Sequence, residues 1–218
     1  ATQAIFCAIQ ALIHPGDEAI VFDPCYDSYD PSVTLAGGRC IHVPLAEGSF
    51  AIDWRRLEAA LSPRTRLIIL NTPHNPSGAL ISRDELDRLA ALIRDRDIHI
   101  VSDEVYEHLV FDGRQHASVL AHDELYARAF VVSSFGKTYH VTGWKTGYVI
   151  APPTLSAELR KVHQYVNFCG VTPLQCALAD FMAEHPEHID ELPAFYQAKR
   201  DLFCGLLEGS RFRFTRTA

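Results

Sequence analysis

The chain has 218 residues, of which 48% are hydrophobic and 22% are charged, and its formal net charge at pH 7 is −7. This length and composition are typical of a globular protein of one or two domains and exclude an intrinsically disordered chain. The acidic balance argues against a general nucleic-acid-binding protein, which needs a basic surface, so we expect no nucleic-acid partner.

The six cysteines form no CxxC pair, and most of them lie in apolar runs. A disulfide framework is not expected in a chain of this size, so the cysteines indicate the reducing environment of the cytoplasm. The longest apolar runs are too short to span a bilayer, and we expect no membrane association. The chain begins abruptly at Ala1, inside the pattern of a helix, and we expect it to be part of a longer protein.

Helical and extended patterns alternate along the chain. In order, they predict a helix at residues 2–13, a strand at 19–22, a helix at 29–36, a strand at 40–43, a helix at 53–61, a strand at 66–70, a helix at 82–94 and strands at 98–101 and 129–133. An antiparallel strand at 146–150 and helices at 156–166, 174–183 and 193–207 follow. The helix at 82–94 opens with Ser82 and Glu85 at the spacing of a capping box. The alternation predicts an α/β fold with a mostly parallel sheet.

Unusual polar residues directly follow three of the predicted strands, in segments 71–78, 103–106 and 133–137. In open α/β sheets, ligands bind beyond the carboxyl ends of the strands. We therefore expect these three segments to meet at one ligand site.

Lys137 has several possible interpretations from the sequence alone. A lysine after a buried strand is most often a solvated loop charge. The Gly-Lys-Thr triplet is also found in phosphate loops, but such a loop needs a glycine at the position of Val131 and a longer spacing from the strand. The nucleotide-binding interpretation therefore fails.

Asp103 and Asn75 are the other distinctive positions. A carboxylate at the end of a buried strand, as at Asp103, costs free energy unless a partner binds it, although a helix cap or a structural ion pair would also explain it. Asn75 lies in Asn71-Thr72-Pro73-His74-Asn75-Pro76-Ser77-Gly78, where two prolines and a glycine favour a rigid turn. An ordinary loop could have the same composition.

Taken together, segments 71–78, 102–106 and 133–147 resemble the signature segments of the class I and II aminotransferases of fold type I. The phrases Asp-Pro-Cys-Tyr-Asp-Ser-Tyr at 23–29 and Lys-Thr-Tyr-His-Val-Thr-Gly-Trp-Lys at 137–145 resemble the methionine, kynurenine and glutamine–phenylpyruvate aminotransferases in particular. The resemblance runs from Ala1 to about Leu207. It implies a three-layer sandwich that forms the large cofactor-binding domain, at residues 1–190, followed at 191–218 by a connecting helix and the start of a small domain.

The resemblance also implies pyridoxal 5'-phosphate as the cofactor, with roles for three catalytic residues. Lys137 would hold the cofactor's aldehyde covalently and then shuttle a proton at the substrate α-carbon. Asp103 would pair with the pyridine nitrogen and keep it protonated, so that the ring withdraws electrons. Tyr106 would donate a hydrogen bond to the phenolic oxygen of the cofactor.

Further residues are implied as cofactor-binding groups around the ring and the phosphate. Asn75 would contact the phenolic oxygen, and Tyr26 would stack on the ring, although an isolated tyrosine is more often a core residue. The remaining positions would bind the phosphate: Ala1 and Thr2 at a helix N-terminus, Ser134 and Lys145. Many relatives have arginine at the Lys145 position, and lysine would act there as a point charge.

The sequence predicts no metal site, because it has no HExxH motif and Pro186 interrupts the pair His185 and His188. We expect amino-acid and 2-oxo-acid substrates, with methionine, aromatic or other large neutral amino acids favoured. The resemblance further implies a homodimer and an arginine for the substrate carboxylate in a small domain outside this chain. Two other functions stay open: a carbon–sulfur β-lyase on the same fold, and a non-catalytic module that binds the cofactor for regulation.

Overall fold

A computed structural model describes residues 1–217 and contains a mostly parallel sheet between layers of helices. The elements in chain order are α1 Thr2–Leu12, β1 Glu18–Asp23, α2 Tyr29–Leu35, β2 Arg39–Pro44, α3 Trp54–Ala60, β3 Thr65–Asn71, α4 Arg83–Ile93, β4 His99–Asp103, α5 Asp123–Tyr126, β5 Ala129–Ser133, α6 Phe135–Thr138, β6 Tyr148–Ile150, α7 Pro153–Val166, α8 Thr172–Glu184 and α9 His188–Leu207. Short 3₁₀ turns lie at Val119–Ala121 and Thr142–Trp144.

The sheet has the strand order β2-β1-β3-β4-β5-β6. The first five strands are parallel, and β6 pairs antiparallel with β5, as the sequence predicts. Because β3, β4 and β5 are almost entirely buried, they read as continuous apolar runs rather than alternating ones. Their carboxyl ends lie at one edge of the sheet, directly before the three segments that the sequence singles out.

Two hydrophobic cores cover the two faces of the sheet and give the predicted three layers. One face packs against α3, α4 and α5 through residues such as Leu57, Leu89 and Leu125. The other face packs against α1, α2 and α7 through residues such as Ile9 and Val33. Successive strand residues point to opposite faces, so Ile100 belongs to the first core and Val101 to the second.

One helical detail confirms the sequence prediction, and another differs from it. Helix α4 begins with the predicted capping box, in which Ser82 and Glu85 bond each other's backbone N–H groups. Helix α9 begins at His188, five residues before the start predicted at Pro193, and proline lies inside it. Proline is common in the first turn of a helix, whereas here more than one helical turn precedes Pro193. The domain boundary predicted between residues 190 and 191 stays a prediction. The last residue of the second predicted region, Ala218, lies outside the residues that the structure describes.

Candidate active site

A cavity of about 670 Å³ opens at the carboxyl ends of the parallel strands. All nine residues that the sequence selected line its wall, together with others such as Asn71 and Thr142. The nine are Ala1, Thr2, Tyr26, Asn75, Asp103, Tyr106, Ser134, Lys137 and Lys145. They come from six separate stretches of chain, and the sheet brings these stretches together because its strands end at the same edge.

Asp103 is a buried carboxylate at the floor of the cavity, with 5% of its surface exposed. Its Oδ2 accepts a hydrogen bond of 2.7 Å from the Tyr29 hydroxyl, and its Oδ1 accepts a longer one of 3.4 Å from the Val105 N–H. Burial raises the pKa of Asp103 above its usual range, although these two donors oppose the shift. The carboxylate is therefore short of positive partners and suited to a cationic N–H group in the cavity.

Tyr29 is a functional residue that the sequence analysis missed. It lies at the start of α2, is fully buried, and reaches Asp103 from 74 positions away in the chain. Burial raises the pKa of the Tyr29 phenol strongly, and the adjacent Asp103 adds to the shift, so the group stays a neutral donor. No local pattern marks this role, because a buried aromatic residue on a helix normally fills the core.

Lys137 lies on the one-turn helix α6, not on a loop, and its Nζ lies 5.5 Å from the centroid of the Tyr106 ring. Ser134 is the residue before this helix, so its hydroxyl and the lysine enter the cavity from the same turn. The short helix follows β5 directly, and this placement fixes the lysine relative to Asp103 on the neighbouring strand. A half-buried lysine over an aromatic face, in the cavity that also contains a buried carboxylate, is unlike a solvated loop charge.

Lys145 reaches the cavity because the backbone bends sharply on either side of it. It adopts a left-handed conformation with φ 56° after the 3₁₀ turn. Gly147 then allows the chain to touch two other parts of the site: an added Cβ would lie 2.6 Å from the Ser133 carbonyl and 3.1 Å from the Ala1 nitrogen. No side chain fits there, so glycine is required for α1, β5 and the Lys145 turn to meet.

Asn75 is held in place by the loop after β3. Its N–H donates to the Asn71 side chain at 2.7 Å, and the Asn71 amide in turn donates to the Asp103 carbonyl at 2.9 Å. The Thr72 N–H also donates to that carbonyl, at 3.1 Å. These bonds tie the loop to the end of β4, so the Asn75 and Asp103 side chains share one wall.

Tyr26 and the first turn of α1 form a further part of the wall. The Tyr26 hydroxyl lies 3.2 Å from the Thr2 hydroxyl, and its ring packs edge-on against Tyr29 at 5.6 Å between centroids. Helix α1 has no acidic residue in its first turn and no side-chain cap, so its first N–H groups stay available to an anion.

The two histidines near the signature segments lie outside the cavity wall. His74 is buried, its Nδ1 bonds Ser77 at 2.7 Å, and burial lowers its pKa. His140 packs among aromatic rings and lies 3.2 Å from the Tyr196 hydroxyl. Both contacts are with the protein, as expected for residues that support loops.

The donor set of the cavity fits an anionic aromatic cofactor. It offers a flat aromatic ring at Tyr26, a buried carboxylate for a ring N–H, two lysines, and hydroxyl and N–H donors near one helix end. A phosphate prefers that helix end and Lys145, because both supply positive potential. Pyridoxal phosphate has all the complementary groups.

Comparisons with known proteins agree with this geometry. The family model for aminotransferases of class I and II matches residues 1–217. The chain is 52% identical over 211 residues to the methionine aminotransferase of Escherichia coli K12, a match that covers 97% of this chain and 55% of that protein. It is 39% identical over 221 residues to kynurenine–oxoglutarate transaminase 3 of Rattus norvegicus, covering 94% and 49%.

Solved structures give the same result. The crystal structure of YbdL from Escherichia coli, identified there as having a methionine aminotransferase function, matches with a TM-score of 0.96 and 50% identity, covering 100% of this chain and 58% of that one. N-Succinyldiaminopimelate aminotransferase from Mycobacterium tuberculosis matches with a TM-score of 0.94 and 36% identity, covering 99% and 57%. The chain thus spans about half the length of these relatives, between 49% and 58%.

Proposed function

Because this chain belongs to the class I and II aminotransferases, which depend on pyridoxal phosphate, we propose that it forms the cofactor site of an enzyme that moves an amino group from an L-amino acid to a 2-oxo acid. The observation that carries the proposal is the single cavity into which Lys137, Asp103 and Tyr26 all project. The family model matches the chain through all the segments that supply this cavity.

When bound, pyridoxal phosphate supplies an aldehyde that takes up amino groups and a ring that withdraws electrons from the substrate α-carbon. Lys137 would hold the aldehyde end covalently. When the amino group of the substrate replaces it at the aldehyde carbon, the freed Lys137 amine would accept the proton of the substrate α-carbon and return it. The Tyr106 ring under Nζ would keep the lysine directed at that point.

Asp103 would hold a proton on the ring nitrogen, because a buried carboxylate stabilises a cationic N–H group more strongly than water does. The Tyr29 hydroxyl would keep the carboxylate ionised and fixed in orientation. At the opposite side of the ring, Tyr106 and Asn75 would bind the phenolic oxygen. Tyr26 would cover the face of the ring.

The phosphate would lie between the first turn of α1 and the turn that carries Ser134 and Lys145. Thr2 and Ser134 would donate hydroxyl hydrogen bonds, and the backbone of Ala1 and Thr2 would add N–H groups. Gly147 supports this assignment, since it lets these two segments approach each other. Lys145 would supply the positive charge without the bidentate geometry of an arginine.

For the substrate, we propose methionine, aromatic or other large neutral L-amino acids. This proposal rests on the relative at 52% identity, named for methionine, and on the relatives named for kynurenine. Spectral half-reactions of the full-length protein with a panel of amino acids test it. Turnover of cystathionine to pyruvate and ammonia without any 2-oxo acid would instead favour the β-lyase.

We also propose that the complete protein works in the cytoplasm as a homodimer. The six cysteines are free, as expected in a reducing compartment. Large apolar side chains on the last helices are exposed, among them Tyr165 and Leu206, and further chain or a second subunit would cover them. Within residues 1–217, no helix is both long enough and apolar enough to cross a membrane.

Borohydride reduction followed by peptide mapping of the full-length protein tests the cofactor assignment. We expect the cofactor label on Lys137 and its loss in Lys137→Ala. Lys145→Ala is the matched control, because it removes another lysine of the same cavity and should weaken cofactor binding while leaving the label on Lys137. Label on another lysine, or none on the wild-type protein, would contradict the proposal.

A further inference from the structure

His42 lies on the edge strand β2 between two carboxylates, each of which has a cysteine thiol beside it. Its Nδ1 lies 3.0 and 3.1 Å from the two oxygens of Asp23, and its Nε2 lies 2.9 Å from Asp30 Oδ2. One ligand atom each from Asp30, Cys40 and His42 lies within 4.8 Å of the others, and the same holds for Asp23, Cys25 and His42. This cluster lies outside the wall of the cofactor cavity.

The fold, rather than any sequence spacing, assembles the cluster. Cys40 and His42 are two residues apart on β2 and so point to the same face of the sheet. Asp23 ends the neighbouring strand β1, and Asp30 lies in the first turn of α2. The sequence predicts no metal site, because these residues lie in separate segments of the chain that contain no ligand motif.

An ion pair explains only part of this arrangement. A protonated His42 between two carboxylates is a stable surface network, and the hydrogen bonds with Asp23 and Asp30 raise the pKa of His42. The Cys40 thiol makes no hydrogen bond within such a network.

We propose that Asp30 Oδ2, Cys40 Sγ and His42 Nε2 bind one zinc ion or a similar divalent ion of borderline softness. Carboxylate oxygen, thiolate sulfur and imidazole nitrogen are the ligand types of zinc sites. Tetrahedral zinc with bonds of about 2.0–2.3 Å places its ligand atoms roughly 3.3–3.8 Å apart, which shifts of an ångström or less would reach from the present positions. A zinc–sulfur bond would form as the thiol proton leaves to solvent, and Nε2 of the protonated His42 would likewise release its proton to solvent before it binds the ion.

Surrounding contacts favour this triad over the one with Asp23 and Cys25. The Thr34 hydroxyl donates to Asp30 Oδ1 at 3.1 Å and leaves Oδ2 directed at His42. The two oxygens of Asp23 accept from His42 Nδ1, the usual orienting contact of a zinc-bound histidine. The side chains of His42 and Asp30 are 40% and 49% exposed, so water can fill the fourth position.

The test measures Zn²⁺ binding by the full-length protein after removal of metal by a chelator. The exposed Cys169 and Cys176 are first changed to serine so that they do not bind zinc. We expect one equivalent of Zn²⁺, and zinc X-ray absorption that shows one sulfur ligand at about 2.3 Å. The melting temperature should rise with Zn²⁺, because a ligand that binds only the folded state stabilises it.

Matched variants identify the ligands. Cys40→Ser and His42→Asn should weaken Zn²⁺ binding at least about 100-fold and Asp23→Asn about 10-fold, whereas Cys25→Ser should leave the affinity and the sulfur signal unchanged. Melting temperatures measured without metal verify that each variant is folded. Equal affinity in wild type and His42→Asn, or loss of the sulfur signal in Cys25→Ser but not in Cys40→Ser, would overturn the proposal.

Discussion

Two neighbouring carboxylates at the end of β4, Asp103 and Glu104, are both buried but have opposite surroundings. Glu104 is fully buried on the face of α3 and α4, and it accepts hydrogen bonds from Ser102 at 2.8 Å, His116 at 2.7 Å and the Val119 N–H at 3.0 Å. Burial opposes its ionisation, but these donors hold the pKa of Glu104 below its usual range. Asp103 faces the cavity with two donors, and its pKa is raised.

The difference separates a structural carboxylate from a functional one. The fold itself satisfies Glu104, whereas Asp103 is left for a ligand to complete. Buried polar groups without enough partners cost free energy, and they occur where a protein binds something. Three variants test this comparison. Each changes one of the side chains of Asp103, Glu104 and Tyr29 and leaves the other two in place.

The largest expected effect is on activity, in Asp103→Asn. The amide keeps the size of the side chain and can still accept from Tyr29, but it cannot hold a proton on the cofactor's ring nitrogen by charge. We expect amino-acid half-reactions of the full-length protein to slow by about 10³-fold. The melting temperature should be unchanged or higher, because a poorly satisfied buried charge has been removed. Near-normal half-reaction rates would rule out the proposed role.

Glu104→Gln should show the reverse pattern. The amide replaces one acceptor oxygen by a donor and leaves His116 or Ser102 without its partner, and an unsatisfied buried polar group costs free energy. We expect the free energy of unfolding, measured by denaturant titration, to fall by about 2 kcal/mol. Half-reactions below the unfolding range should change less than in Asp103→Asn. If both variants lose activity equally with no change in stability, the two carboxylates do not differ as described.

Tyr29→Phe should have the smallest effect and sharpen the comparison. It removes the 2.7 Å donor to Asp103, and a hydrogen bond to a charged group contributes about 1.5 kcal/mol, so half-reactions should slow roughly tenfold. The Tyr29 donor lowers the pKa of Asp103, so its loss should raise that pKa further. The acidic limb of the pH–rate profile should then move to higher pH. An unshifted limb would mean that Tyr29 only fills space.

Short local patterns predict the sheet and the three segments at its edge, whereas the family resemblance supplied Ala1, Thr2, Tyr26 and Lys145. Buried parallel strands read as apolar runs, and the residues directly after them, such as Asp103 and Lys137, must lie at the same edge. The antiparallel β6 and the capping box of α4 are confirmed for the same reason. The nine selected residues all line one cavity, while the roles given to them stay predictions.

Features that depend on packing between distant segments are not predictable in this way. The contact of Tyr29 with Asp103 and the partners of Glu104 form across layers, and no local pattern marks them. The predicted start of α9 at Pro193 is wrong, because the helix begins at His188, more than one turn earlier. The cluster around His42 is a further case, since it exists only after β1, β2 and α2 have packed.

The order of the strands has a consequence for how the protein acquires its cofactor. The cavity draws residues from Ala1 to Lys145, and its wall includes the ends of β3, β4 and β5 and the loop after β1. Parallel strands must be joined by long crossovers, so these contacts are non-local and form slowly during folding. A chain that lacks any one of these strands lacks part of the wall. Cofactor uptake therefore reports that β1, β3, β4 and β5 have assembled, and the cofactor's absorption spectrum can follow this step of folding.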